Sequence, residues 1–115
     1  MDTLETYRNI IQDKIRYYAQ FQPARGDVQI EIIFDIPNDH YELMYAGWNG
    51  DYRIHGSVIH IDIRGANGEE KVWIQFDGTA DGIANDLVEA GIPQDRIVLA
   101  FKSPNLRPHT GFAVA

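Results

Sequence analysis

The sequence predicts a single α+β domain in which an antiparallel meander sheet carries two helices on one face. Three observations predict it. The first twenty residues repeat apolar side chains at helical spacing, the stretch from Val28 to Phe76 alternates them with a period of two, and two Asn-Gly pairs punctuate that stretch. At 115 residues the chain has the length of one domain, 1–115, with a core of its own.

In the first element Leu4, Tyr7, Ile11, Ile15 and Tyr18 form one apolar stripe at three- and four-residue spacing. Asp2 and Glu5 have the spacing of a capping box, and Pro23 and Gly26 end the segment. Val28, Ile30, Ile32, Phe34 and Ile36 then alternate with polar residues as a half-buried strand. Pro37-Asn38-Asp39-His40 reads as a turn, and Tyr41, Leu43 and Tyr45 alternate up to Trp48. Asn49-Gly50 and Asn67-Gly68 each read as a type I′ hairpin loop, giving a third strand from Asp51 to Arg64 and a fourth from Lys71 to Phe76.

These loops fix registers. The Asn67-Gly68 loop sets Ile63 against Val72, Ile61 against Ile74 and Ile59 against Phe76, whereas Asn49-Gly50 sets Tyr45 against Ile54 and Tyr41 against Val58. Ile54 and Val58 are even-numbered, and the later isoleucines of the same strand are odd. A β-bulge near Val58 would reconcile the parities. Beyond the sheet, Asp77 to Gly82 is a turn with Thr79 or Asp81 as N-cap, Ile83 to Ala90 a short helix, and Gly91-Ile92-Pro93 its stop. Ile97 to Phe101 is a fifth strand, completing the order α-β-β-β-β-α-β.

Composition narrows the function. Apolar residues make up 44% and charged residues 23%, which is globular and not disordered. The absence of cysteine removes disulfides, thiolate catalysis and cysteine-ligated metals. No apolar run reaches the roughly 18–20 residues of a membrane span, and the start has no signal-peptide pattern, so a cytoplasmic protein is expected. The net charge is −7 and the ten basic residues are scattered, so autonomous nucleic-acid binding is not expected.

With the bulge in place, the sheet face away from the core carries Ile33, Met44, Trp48, Arg53, His55, His60, Asp62, Trp73 and Gln75. Such a mixed face is either a second packing layer beneath the C-terminal segment or a partner-binding interface, and two such faces could meet in a homodimer. His55, His60 and Asp62 are competent metal ligands, but His55 and His60 stand too far apart along a strand to share an ion, and no metal is expected. Asp77 and Asp81 flank a Gly-rich turn that matches no phosphate-binding motif, so turn and cap chemistry is the plainer reading. No nucleophile motif is present; neither an enzyme nor a cofactor is expected. The final apolar residues suggest a docking tail, with Arg107-Pro108 setting an extended approach and Phe112 and Val114 seated on the domain's own sheet or in another chain.

Several strings carry a resemblance across essentially the whole chain. They are Asp2-Thr3-Leu4 with Tyr7-Arg8-Asn9-Ile10-Ile11, Tyr41-Glu42-Leu43-Met44, Gly47-Trp48-Asn49-Gly50, Arg53-Ile54-His55-Gly56 and His60-Ile61-Asp62-Ile63. The second half adds Trp73-Ile74-Gln75, Asp77-Gly78-Thr79, Asp81-Gly82-Ile83-Ala84, Gly91-Ile92-Pro93, Ile97-Val98-Leu99 and Thr110-Gly111-Phe112-Ala113. In order and spacing they resemble the XisI family, the fdxN-element excision controlling factors of cyanobacteria. The resemblance implies an accessory, regulatory protein of DNA rearrangement, with a separate recombinase performing strand chemistry and a XisH-like protein of nuclease-type fold as partner. It carries over no catalytic residue. Two other functions compete with it: direct DNA binding during excision, and a hydrolase using the Asp77–Asp81 turn with His60 or Asp62.

Overall fold

The computed structural model describes residues 3–115, so Asp2 of the expected capping box lies outside the described residues. Helix α1 spans Thr3–Tyr18 and buries Tyr7, Ile11 and Ile15, with Leu4 and Tyr18 packed at the margin of the core. It closes well before Pro23, its last turns tightened by hydrogen bonds from Ala19 N–H to Ile15 O and from Gln20 N–H to Tyr17 O. Local i→i−3 turns after Tyr18 therefore end the helix ahead of Pro23.

Strands β1 (Asp27–Asp35), β2 (His40–Asn49), β3 (Tyr52–Arg64) and β4 (Lys71–Asp77) form the antiparallel meander. Helix α2 (Ile83–Ala90) then crosses the sheet, and β5 (Ile97–Leu99) pairs with β4 in parallel. The fifth strand thus departs from the expected antiparallel sheet, because a helical crossover returns the chain to run alongside β4. Both helices contribute to one core with the sheet. Ile11 and Ile15 of α1 meet Ile83 and Leu87 of α2 over Ile59, Ile61, Val72 and Ile74, all fully buried. Each such aliphatic side chain contributes about 1.5–3 kcal/mol relative to exposure. β1 is the edge strand and is only partly covered: Ile30 and Phe34 pack against the core and Arg16 of α1 rests over the Phe34 ring, while Ile32 points to the same side and is still exposed, as is Ile36 beyond the strand's end.

Two bulges set the registers. Leu43 stands opposite Ile59 and Met44 opposite Ser57, which leaves Val58 as the extra residue that resolves the parity conflict. On β4, Ile61 stands opposite Ile74 but His60 opposite Phe76, so Gln75 is a second extra residue. The expected Ile59–Phe76 pair is therefore not formed: Ile59 faces Asp77, and Phe76 turns out to solvent.

The Asn67-Gly68 loop is as expected, with φ of 58° and 85° at its two central residues. The other hairpin differs. Asn49 pairs with Tyr52, and Gly50 (φ 61°) and Asp51 form the loop, with glycine in the first position as a type II′ turn requires. Tyr45 consequently faces Gly56, and Tyr41 faces Ile61, instead of the expected Ile54 and Val58. Gly47 leaves no room for a side chain between β1 and β2: a Cβ there would stand 2.0 Å from Asp27 O and 2.7 Å from Val28 Cα.

Neither Thr79 nor Asp81 caps α2. Asp77 does so from the end of β4: its Oδ2 accepts from Ile83 N–H at 2.8 Å, and its Oδ1 accepts from Thr79 N–H at 2.9 Å. At the other end Gly91 (φ 124°) closes a Schellman motif, with Gly91 N–H donating to Val88 O and Ile92 N–H to Leu87 O. No helix among the described residues is long and apolar enough to cross a membrane.

Candidate functional site: a histidine–aspartate hub on the open sheet face

The side chains of directly opposed residues share a face of the sheet. Ile33 lies opposite Glu42, Glu42 opposite His60, His40 opposite Asp62, Ala46 opposite His55, Trp48 opposite Arg53, and Asp62 opposite Trp73. Met44 joins them by alternation along β2, and Gln75 by its contact with Asp62. All nine residues singled out in the sequence thus lie on the face away from the helices. They do not form one cluster.

At one end is a hub around Asp62, the one buried charged side chain among the described residues, 1% exposed in the middle of an otherwise open face. Its Oδ1 lies 2.7 Å from His40 Nδ1 and 3.0 Å from His60 Nε2. Its Oδ2 accepts from Arg64 Nη2 at 3.0 Å and from Gln75 Nε2 at 3.2 Å. Burial pushes the Asp62 carboxyl upward, but the hydrogen bonds from His40 and Arg64 and the neighbouring imidazoles hold it below the usual carboxylate value. The hydrogen bond to Asp62 in turn raises His40, against a smaller lowering by burial. An ionised carboxylate has no proton to give, so both ring nitrogens carry one when they make these bonds.

Trp73 continues the hub. The guanidinium groups of Arg64 and Arg107 lie 5.3 Å and 5.6 Å from its ring centre, and Arg107 also donates to Ala100 O at 3.2 Å. At the other end Arg53 rests 5.1 Å from the Trp48 ring and donates to Gly47 O. There Trp48 is 51% exposed, and His55 is exposed between the two ends; Ile33, opposite Glu42 on the edge strand, lies toward the hub's end and is 46% exposed.

The family model described as XisI protein matches residues 1–114. The chain belongs to the XisI family. Two solved structures from Anabaena variabilis ATCC 29413 are similar to it over their whole length. A XisI-like protein is 34% identical with a TM-score of 0.87, covering 98% of this chain and 100% of that one. The fdxN element excision controlling factor XisI is 36% identical with a TM-score of 0.82, covering 99% of this chain and 100% of that one. The comparison with curated proteins gave no match.

In this XisI-family chain the C-terminal segment docks on its own sheet. Phe112 packs against the core, Ala113 N–H donates to Ile97 O at 2.8 Å, and Ala113 bridges Val98 in parallel, while Val114 stays exposed. Arg107 does not introduce an extended approach. It opens a 3-10 turn, Arg107–His109, in which Pro108 is tolerated because an early helical position needs no donor. The hydrolase arrangement is not formed either. Asp77 is spent on capping and faces Ile59 on the helix side, whereas His60 and Asp62 lie on the other side of the sheet.

Sequence reasoning misses His40 and Arg64. His40 follows Pro37-Asn38-Asp39 and reads as part of the turn, yet it opens β2. Its place opposite Asp62 becomes legible only when the Val58 bulge and the shifted Gly50-Asp51 loop are counted together. Arg64 sits at the exposed end of β3, where a charge looks like ordinary surface.

Proposed function

We propose that this XisI-family protein is an accessory, regulatory factor of DNA-element excision that works by holding a protein partner, a XisH-like protein of nuclease-type fold, against its open sheet face. The observation that carries the reading is the half-exposure of two large apolar side chains, Trp48 at one end and Ile33 toward the other, at 51% and 46%, on a face that neither helix covers. A large aromatic ring backed by an arginine on a rigid sheet is the composition of an interface anchor. The Asp62 hub keeps the neighbouring strands in fixed register and leaves that anchor accessible. Its similarity to an excision controlling factor supplies the biological setting, and the net charge of −7 favours contact with a protein over contact with phosphates.

Isothermal titration of a XisH-like partner against wild type, Trp48→Ala and Ile33→Ser tests the surface. The Trp48 variant should bind at least about tenfold more weakly, the 1.4 kcal/mol and above expected for an interface anchor. Equal affinity for all three proteins would remove this face as the contact.

A further inference from the structure

We propose that His40, His60 and Asp62 form a binding site for one divalent transition-metal ion of the zinc class. Two imidazoles and a carboxylate are a ligand set suited to such ions. One ring nitrogen each of His40 and His60 and a carboxylate oxygen of Asp62 lie within 4.8 Å of one another, and the register explains why. His40 and Asp62 are direct partners across the β2–β3 ladder, and His60 is two residues from Asp62 on the same face of β3. The three ligands therefore stand on paired strands and not on a mobile loop, which is the support a precise site needs.

The distances suit an ion that replaces the ring protons. The two nitrogens now lie 2.7 Å and 3.0 Å from Oδ1. Around a tetrahedral ion with bonds of about 2.0–2.1 Å the ligand atoms would stand about 3.3 Å apart. The imidazoles of His40 and His60 therefore withdraw from Oδ1 by about 0.6 and about 0.3 Å, while their two nitrogens, within 4.8 Å of one another, close on the ion by side-chain rotation. Oδ2 is already held by Arg64 and Gln75, an outer shell that presents Oδ1 to the imidazoles. The positive charge of Arg64 opposes the ion, but its contact is with the oxygen that would not coordinate. The His40 side chain is 53% exposed, so an ion has a path from solvent. Three protein ligands leave the fourth position for water or an incoming group. His55, on the same strand and face, is outside the group.

The test is a titration of metal-stripped, full-length protein with Co2+, followed by displacement with Zn2+. The site predicts one equivalent bound per chain, visible bands of a four-coordinate cobalt ion, and their loss on adding zinc. His40→Ala and His60→Ala should each weaken binding by at least about tenfold, since even outer-shell losses cost about 10–100-fold. His55→Ala should bind as wild type does. Imidazole resonances in the unaltered protein supply a readout free of folding effects: one equivalent of Zn2+ should shift His40 and His60 and leave His55 and His109 in place. Absence of saturation at one equivalent, unshifted His40 and His60 resonances, or unchanged uptake in the two histidine variants would overturn the site.

Discussion

His40 Nδ1 and Asp62 Oδ1 are joined at 2.7 Å across the β2–β3 ladder, and this bond ties the first residue of β2 to the buried carboxylate of β3. The same carboxylate gathers His60, Arg64 and Gln75, so an otherwise open sheet face contains one ordered polar centre. Its removal should be felt. Asp62→Ala leaves four donors without their acceptor and is expected to lower stability by about 1–3 kcal/mol. The loss stays under the roughly 3–5 kcal/mol of a fully buried pair because His40 and Arg64 reach solvent. Urea denaturation of the variant against wild type measures it.

The two faces of the sheet should differ sharply in what truncation costs. Ile61→Ala, in the closed core, is expected to cost about 2–5 kcal/mol, whereas Trp48→Ala, on the open face, should stay near 0.5 kcal/mol or less. Chemical denaturation of both variants checks the contrast. A large loss for Trp48 would mean that its ring serves the fold itself.

Alkaline stability should depend on Tyr18. Its hydroxyl donates to Asp86 Oδ2 at 2.5 Å, and burial, then that bond and the nearby carboxylates, push its ionisation well above the ordinary tyrosine range. The folded pKa is raised, so the contribution is complete below the unfolded value of about 10 and is lost as pH climbs toward the folded one. Thermal melts of wild type should therefore fall from about pH 10 upward more steeply than those of Tyr18→Phe. Parallel curves for the two proteins would contradict the assignment.

Gly47 should resist any side chain. A Cβ there would stand 2.0 Å from Asp27 O, so Gly47→Ala must push β1 away from β2. The expected cost is about 1–3 kcal/mol, as for other overpacked sites, and amide exchange should accelerate first in β1. Exchange rates left unchanged in β1 would show that the ladder absorbs the methyl group.

Much of this fold is legible in the sequence, and the failures have identifiable causes. The stripe Tyr7, Ile11, Ile15 marks α1 because helical packing writes its period directly into the chain. The clash between even-numbered Ile54 and Val58 and odd-numbered Ile59, Ile61 and Ile63 reveals the Val58 bulge for the same reason. The Gln75 bulge leaves no such mark, because Val72, Ile74 and Phe76 alternate without a break and only the outward turn of Phe76 betrays it. Parallel pairing of β5 is equally silent: Ile97, Val98 and Leu99 form a continuous apolar run with no preferred direction. Asn49-Gly50 misleads because the pair suits a type I′ loop in isolation, yet the observed ladder opposes Trp48 to Arg53 and puts Gly50 first in the loop. On the open face, His60, Asp62 and Gln75 can be seen together in the sequence, but His40 cannot until the register is known.

The most direct test of the open face as a partner surface is light scattering on size-exclusion peaks of the chain co-expressed with a XisH-like protein, for wild type and for Trp48→Glu. Wild type should elute in one peak whose mass is that of a mixed complex, and the Trp48→Glu chain, still folded by circular dichroism, should elute apart from its partner. Separate peaks for wild type, or an intact complex for the Trp48→Glu chain, would contradict the assignment of that face.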